Sequence, residues 1–228
     1  MAVLSTMTNS LSKIQLLFHE MSLCEQKFID LNDLSNHFIK LEKNPAIFFK
    51  YITEICPENW IHEFQGKIKT QKSDNFEENN DFVCLKVPID KSLNEAIFNQ
   101  SQIFIKTPSI LAIQLIRNNE GEIEIPIHLN IDKLINNEND EKIEYNLTAS
   151  VILDPTTNEF NSVIKINKEN WILFTQKEET LIKNEMLINN LVKNSYLVFY
   201  TKHESTVDEP INNALTTLYI ENPFNIIE

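Results

Sequence analysis

Residues 107–117 read TPSILAIQLIR, and residues 123–131 read IEIPIHLNI. In the second stretch an aliphatic residue stands at every odd position from Ile123 to Ile131, which is the period of a strand with one buried face. The aliphatic run from Leu111 to Arg117 also predicts a strand. The two stretches together place a β-sheet at the centre of the chain.

Further strands are predicted on both sides of this centre. Before it, residues 82–87 alternate with the same period of two. After it, a helix near Glu178–Leu191 interrupts a series of strands, and those strands cover Tyr145–Leu153, Ser162–Ile166, Trp171–Phe174 and Tyr196–Tyr200. We expect these strands to pair antiparallel, with one face of the sheet buried.

The first sixty residues have helical periodicity instead. Apolar residues recur at helical spacing over residues 11–21, and residues 33–41 predict a shorter helix. The best delimited helix is capped by Asn44, has Pro45 in its first position and ends before Pro57; its predicted buried face is Phe48, Phe49, Ile52 and Ile55. Helices followed by an antiparallel sheet predict an α+β domain.

Composition excludes several classes of function. The 228 residues include only two glycines, Gly66 and Gly121, so a P-loop or a dinucleotide fingerprint cannot be built. The net charge is −13 and Arg117 is the only arginine, which argues against a direct nucleic-acid partner.

The cysteines predict neither disulfides nor a metal site. Cys24, Cys56 and Cys84 are odd in number, far apart and not at zinc-ligand spacing. No leader pattern and no window of about eighteen apolar residues is present, so we expect no membrane segment. The sequence therefore predicts a protein of the cytoplasm or nucleus, without a metal or cofactor.

Several stretches match short motifs that occur in a fixed order in one protein family. Leu11–Met21 is similar to a Leu-Gln-x-Leu-Phe-x-x-Leu helix, Phe64–Ile68 to a Phe-x-Gly segment and Thr107–Arg117 to a Leu-Pro-x-x-Leu-x-x-x-Leu-x-Arg strand. Ile125–Ile127 is similar to a Phe-Pro pair, and Tyr145–Ile152 to a Tyr-x-Leu-x-Ala strand. In this order the segments resemble the catalytic domain of the ubiquitin-specific proteases, the papain-like deubiquitinases.

The resemblance implies a domain organisation. Residues 1–60 correspond to a reduced helical thumb, and residues 61–202 to an antiparallel β palm with short fingers, in which Gly66 has a structural role. Residues 203–228 are acidic, lose periodicity and are expected to form a tail. The thumb helix normally follows the family's cysteine box, so the chain is expected to begin after that box.

The catalytic triad of the family does not carry over. None of residues 1–10 is a cysteine. The Gly-His-Tyr motif falls near residues 158–162, where counting from the preceding strand puts Asn161 at the histidine position and counting from the following strand puts Glu159 there. The orienting carboxylate falls on Thr175. The resemblance therefore implies that Glu159 or Asn161, with Thr175, occupies the triad positions and that no catalytic residue is retained.

One branch of the family is the closest match. Residues 44–49, NPAIFF, are similar to the Asp-Pro-x-x-Phe of the inactive member found in the spliceosomal tri-snRNP, a branch that also has losses in its triad. The resemblance implies a catalytically inactive protein-binding factor of pre-mRNA splicing, with spliceosomal or other proteins as partners and ubiquitin or a ubiquitin-like protein as a further candidate.

Three alternatives stay open: a ubiquitin-binding pseudoenzyme outside splicing, an active cysteine-type deubiquitinase whose nucleophile is misplaced or lies upstream of Met1, and a scaffold that uses Thr216–Ile220 as an added strand. Two acidic features can be interpreted either as functional groups or as solvated loops. Asp154 with Glu159 could serve as paired carboxylates, and residues 74–81 could contact a basic partner, although solvated loops are the expected outcome for both.

Overall fold

The computed structural model describes residues 44–55, 58–71, 77–100, 102–117, 122–135, 143–203 and 225–227. The chain divides into two compact units, residues 1–61 and 62–228, and each is described by itself. The predicted helices at 11–21 and 33–41, Cys24 and Cys56 lie outside the described residues.

In the first unit, helix α1 (Pro45–Ile55) begins as predicted. The Asn44 side-chain oxygen accepts hydrogen bonds from the backbone N–H groups of Ala46 at 3.0 Å and Ile47 at 3.3 Å, which is the geometry of an N-cap. The prediction that Phe48 lies on the buried face is wrong, because this side chain is 42% exposed. A second helix, α2, covers Glu58–Phe64.

The rest of the described chain is mainly strands with two short helices, and its elements follow one another in this order: β1 (Gly66–Gln71), β2 (Glu77–Phe82), β3 (Cys84–Ile89), α3 (Leu93–Phe98), β4 (Gln102–Lys106), β5 (Ile110–Arg117), β6 (His128–Asn130), β7 (Glu144–Leu153), β8 (Phe160–Lys165), β9 (Trp171–Phe174), β10 (Glu179–Ile182), α4 (Glu185–Val192), β11 (Ser195–Lys202) and β12 (Asn225–Ile227).

These strands form two sheets. The finger sheet has three strands in the order β2-β1-β4. The palm sheet has nine, in the order β12-β10-β9-β8-β7-β11-β5-β3 with β6 beside β7. The α+β class and the mainly antiparallel pairing are confirmed, with two corrections: β3 pairs parallel with β5, and β12 pairs parallel with β10.

One face of the palm sheet builds the core. Leu111, Ile113, Val163 and Val198 are 0% exposed there, and Ile188 and Val192 of α4 belong to the same cluster. Burial of each such aliphatic side chain contributes about 1.5–3 kcal/mol to folding. Strand β5 reads as a near-continuous aliphatic run because residues on both of its faces, such as Ala112 and Ile113, are removed from water.

The alternating stretch 123–131 is only partly a strand. Its odd positions are buried or half-buried as predicted, but only β6 pairs in register. Elsewhere its backbone bonds individually: Glu124 N–H donates to the Lys91 carbonyl at 2.7 Å, and the Ile127 carbonyl accepts from Leu147 N–H at 2.8 Å. The alternation therefore indicates that one side of an extended segment is buried. It does not indicate that the whole segment pairs as a strand of the sheet.

The helix expected near residues 178–191 starts later than predicted. Strand β10 occupies residues 179–182, and α4 begins only after Asn184, whose side chain accepts a hydrogen bond from Met186 N–H at 2.9 Å. Helix α3, over residues 93–98, was not expected from the sequence. In the region expected to form a tail, β12 adds a strand, while Thr216–Ile220 lies outside the described residues.

Gly66 is required where the finger sheet begins. A Cβ atom at this position would lie 2.2 Å from Cζ of Phe82, which pairs with Gly66 across β1 and β2. The Phe82 ring is itself held edge-on against Phe104, with ring centroids 5.9 Å apart. Glycine therefore permits the close approach of these two strands, as the Phe-x-Gly resemblance implied.

Candidate functional site

One end of the palm sheet gathers the positions that the resemblance assigns to the catalytic base and its orienting residue. Residues 154–159 connect β7 to β8 at this end, and residues 175–178 connect β9 to β10. The link between α4 and β11 reaches the same end, where Leu153 N–H donates to the Asn194 carbonyl at 3.0 Å. We refer to these three connections as the turn end.

Strand register brings two of the three candidate positions together. Ser162 of β8 pairs with Phe174 of β9, so the next rung of this antiparallel pair places Asn161 opposite Thr175. Asn161 also pairs with Ile152 on the other side, in β7. Glu159 lies two residues further out, within the turn. Of the two positions for the base, Asn161 is thus the one aligned with Thr175.

The Thr175 hydroxyl forms hydrogen bonds within its own turn. It donates to the Glu178 carbonyl at 3.0 Å and accepts from the backbone N–H groups of Lys177 at 3.2 Å and Glu178 at 3.0 Å. These two N–H groups occupy both acceptor lone pairs of the hydroxyl oxygen, whereas an orienting residue must accept the ring N–H of a histidine. Thr175 therefore serves as a turn former at this position.

Asp154 is held in the same way within its turn. Its Oδ1 accepts from the Thr156 backbone N–H at 2.8 Å and from the Thr156 hydroxyl at 2.7 Å. These hydrogen bonds hold the pKa of Asp154 below its ordinary value. Asn158 closes the turn in the left-handed region at φ 57°, which asparagine tolerates better than most residues.

The paired-carboxylate interpretation of Asp154 and Glu159 therefore loses support. General acid–base catalysis is most efficient when the pKa lies near the working pH, whereas the hydrogen bonds to Asp154 favour its charged form. The two residues are joined through their backbones, with Asp154 N–H donating to the Glu159 carbonyl at 2.9 Å. This geometry is that of a hairpin turn.

Arg117 fixes the third connection of the turn end. Its Nη2 donates to the Lys193 carbonyl at 2.6 Å and to the Ser195 carbonyl at 3.0 Å, and its Nε donates to the Ser195 carbonyl at 3.3 Å. Partial burial lowers the pKa of Arg117. The arginine of the strand motif thus has a structural role, which its position at the end of β5 did not reveal from sequence.

Two buried tyrosines explain the proline motifs. The Tyr145 hydroxyl donates to the Pro108 carbonyl, and the Tyr200 hydroxyl donates to the Pro126 carbonyl at 2.7 Å. Burial raises the pKa of both phenols, so they stay protonated and keep donating. The motif residues that suggest the family are therefore contacts that hold the sheet together.

Cys84 is the thiol that the structure describes, and it is not activated. Burial raises its pKa to about 11, although a backbone hydrogen bond with Gln114 acts in the opposite direction. A nucleophilic cysteine needs a lowered pKa or an adjacent base. Cys84 therefore behaves as a half-buried hydrophobic residue in β3, as expected.

The described ranges also contain a groove beside α4. This groove of about 600 Å³ has the extended segment 122–127 along its wall, with Lys91, Glu185 and an ion pair between Lys193 and Glu122 at 3.1 Å. No group of three metal-ligating side chains occurs in this part of the chain. None of its helices has the length and hydropathy that a membrane-spanning segment requires.

Comparison with solved structures identifies the fold. A chain of the SAGA Ubp8/Sgf11/Sus1/Sgf73 DUB module superposes with a TM-score of 0.59 at 20% identity, over 70% of this chain and 47% of that one. An essential yeast splicing factor gives 0.59 at 16% identity, over 78% and 55%. A SAGA DUB module bound to monoubiquitin gives 0.53 at 18% identity, over 77% and 49%.

The chain thus spans about half the length of these solved chains. No curated protein matches it. The family described as ubiquitin carboxyl-terminal hydrolase matches residues 2–200, which is most of the sequence and includes both the finger sheet and the turn end. The chain belongs to the ubiquitin carboxyl-terminal hydrolase family.

Proposed function

We propose that this chain is a catalytically inactive member of its family that acts by binding other proteins. The observation that carries the proposal is the hydrogen bonding of Thr175: at the position that the resemblance assigns to the orienting residue, its hydroxyl bonds within its own turn. Asn161 in β8, or Glu159 in the turn before it, stands where the resemblance puts the histidine.

The chemistry of a thiol protease explains why these replacements matter. The reaction needs a base that takes a proton from the thiol and returns it to the leaving group, and a neighbour that holds that base in one tautomer. An amide such as Asn161 has no basic lone pair of that kind. A carboxylate is a weaker base than imidazole, so Glu159 is a poor substitute for the histidine.

For the partners, we propose proteins of the spliceosome. The fold similarity to an essential yeast splicing factor supports this choice, as does the resemblance of residues 44–49 to the inactive tri-snRNP branch. The net charge of −13 with a single arginine favours protein partners over direct RNA contacts. A nuclear location follows from this proposal.

Ubiquitin binding outside splicing is the second candidate. It is favoured by the fold similarity to a DUB module bound to monoubiquitin. Titration of ubiquitin against the labelled chain separates the two, since no signal at high micromolar concentration removes ubiquitin as a ligand. Copurification tests the first candidate directly, and a pull-down that contains no spliceosomal protein contradicts it.

Catalytic inactivity is tested with ubiquitin that carries a C-terminal electrophile. We expect no covalent adduct with the full chain, under conditions in which an active deubiquitinase is labelled. The matched control replaces all three cysteines, Cys24→Ala, Cys56→Ala and Cys84→Ala. An adduct that forms on the unaltered chain and is absent from this control overturns the proposal.

A further inference from the structure

The groove beside α4 has a helix along one wall and the extended segment 122–127 along the other. Glu185, Asn189 and Lys193 line the helical wall, and their spacing of four residues places them on one face of the helix. From Glu185 to Lys193 this wall is about 12 Å long. Because an extended chain rises about 3.3 Å per residue, a strand of about four residues matches that length.

The extended wall forms hydrogen bonds on one side at its centre. Glu124 N–H donates to the Lys91 carbonyl at 2.7 Å, and the Glu124 carbonyl accepts from Leu93 N–H at 3.0 Å. In an extended chain the main-chain groups of successive residues point to opposite sides, so those of Ile123 and Ile125 point away from this pairing. Among the residues that the structure describes, none forms a hydrogen bond with these main-chain groups.

The same two residues are buried. Ile123 and Ile125 are 1% and 5% exposed, and their side chains belong to the core cluster. Both residues line the groove, so they present their main chain to it. Nearly all buried main-chain polar groups in native proteins have a partner, because leaving them unpaired is costly. Alternate residues with N–H and C=O groups on one side are what an added strand pairs with.

The two ends of the groove differ in charge. At one end, Lys193 Nζ and Glu122 form an ion pair at 3.1 Å. At the other end Glu185 is exposed, and no ion pair of its carboxylate occurs among the described residues. Lys165 senses this charge, but its ammonium group lies over the Trp171 ring, 5.6 Å from the centroid. The Glu185 end therefore favours a cationic group in an occupant.

We propose that this groove is a docking site for an extended segment of a partner protein, which pairs through its main chain with Ile123 and Ile125 and places a lysine or arginine against Glu185. Lys91 and Glu124 also line the groove, and their opposite charges offset each other. The proposal rests on the proposed function, because it assigns a surface to the binding of other proteins. It does not depend on whether the chain is catalytic.

The test uses two fluorescent peptides, KTVTVK and ETVTVE, which carry the same charged residue at both ends so that either orientation places one beside Glu185. Against the full chain, we expect KTVTVK to bind about three- to tenfold more tightly than ETVTVE. Glu185→Gln should weaken KTVTVK binding about threefold, whereas Glu179→Gln, the same change at an exposed position outside the groove, should leave it unaltered. N-methylation of the two valines removes main-chain donors and should weaken binding about tenfold.

Two adjacent asparagines of α4 provide the matched pair of blocking variants. Asn189 lines the groove and Asn190 does not, and both are exposed, so a tryptophan at either position leaves the core intact. Asn189→Trp should weaken KTVTVK binding at least about tenfold, and Asn190→Trp should bind like the unaltered chain. Peptide binding should slow amide exchange in residues 122–127 and not in residues 84–89.

Equal binding by Asn189→Trp and Asn190→Trp overturns the proposal, as does equal binding of the methylated and unmethylated peptides. Absence of KTVTVK binding to the folded chain at up to about 1 mM also overturns it. A native dimer that Asn189→Trp converts to a monomer does the same, because the occupant is then a second copy. If spliceosomal proteins copurify equally with Asn189→Trp and with the unaltered chain, the groove is not their docking site, while the proposed function stands.

Discussion

Side chains in the interior of the palm sheet and side chains at its turn end make different kinds of contact. In the interior, Leu111, Ile113 and Val198 are fully buried and contact other strands. At the turn end, Asp154 and Thr175 hydrogen-bond within their own turns. Interior residues are thus constrained by the whole sheet, whereas the turns need only close locally. The residues that chemistry would require can therefore be replaced without loss of the fold.

Several residues of the motifs that resemble the family make contacts that hold the palm sheet or the finger sheet together. Pro108 and Pro126 are acceptors for buried tyrosines, and Gly66 permits the close approach of Phe82. A match to these motifs therefore reflects contacts that hold the fold together and carries no information about a nucleophile or base. The following predictions test this difference between the interior and the turn end.

The largest effect is expected in the interior. Ile113→Ala removes a fully buried side chain from β5 and should lower the free energy of unfolding by about 2–5 kcal/mol. The matched control is Ile116→Ala on the same strand, where the side chain is 42% exposed and the loss should be below about 1 kcal/mol. Urea unfolding of both variants measures the difference, and equal losses would contradict it.

A smaller effect is expected for the tyrosine anchors. Tyr200→Phe leaves the Pro126 carbonyl without its donor and should lower the free energy of unfolding by about 1–3 kcal/mol. Tyr196→Phe is the control, because that residue is half-buried and its hydroxyl accepts a long hydrogen bond of 3.4 Å from Gln114. Thermal unfolding at pH 7 compares the two.

The same phenol predicts a dependence of stability on alkaline pH. Burial raises the pKa of Tyr200 in the folded chain, so the unfolded chain releases this proton first, near its ordinary pKa of about 10. The contribution of the Tyr200 phenol to the free energy of unfolding should be fully present below that pH and should be lost as the pH rises above it. Tyr200→Phe should decrease the slope of this loss, and an unchanged slope would exclude Tyr200 as its source.

The smallest effect is expected at the turn end. Thr175→Ala removes the hydroxyl bonds that close the turn and should cost only about 0.5–1 kcal/mol. Thr175→Asp can still accept the backbone N–H groups and should be close to neutral. Neither variant should gain labelling by an electrophilic ubiquitin. A loss as large as that of Ile113→Ala would remove the contrast between interior and turn end.

Strands with strong aliphatic content could be predicted from the sequence. The prediction for 111–117 falls within β5, the prediction for 145–153 nearly coincides with β7, and β9 has the predicted bounds. The start of α1 at Pro45 was also predictable, because the Asn44 side chain caps the helix through a hydrogen bond to a neighbouring backbone N–H group. In each case the signal is contained in a few adjacent residues and does not depend on distant contacts.

Features that depend on distant contacts could not be predicted. The segment 123–127 alternates like a strand, yet its backbone partners lie at Lys91, Leu93 and Leu147. Strand β10 has four residues, and its pairing with β12 joins segments that residues 183–224 separate. The alignment of Asn161 with Thr175 likewise follows from the register of β8 and β9, which no local pattern encodes.

Arg117 gives this protein a built-in chemical reporter. It is the only arginine in the sequence, and its guanidinium group binds the carbonyls of Lys193 and Ser195 at the turn end. A reagent selective for guanidinium groups therefore modifies one known position. Its reaction rate follows the opening of the connection between α4 and β11, so that a partner that covers or loosens this region can be detected without an introduced label.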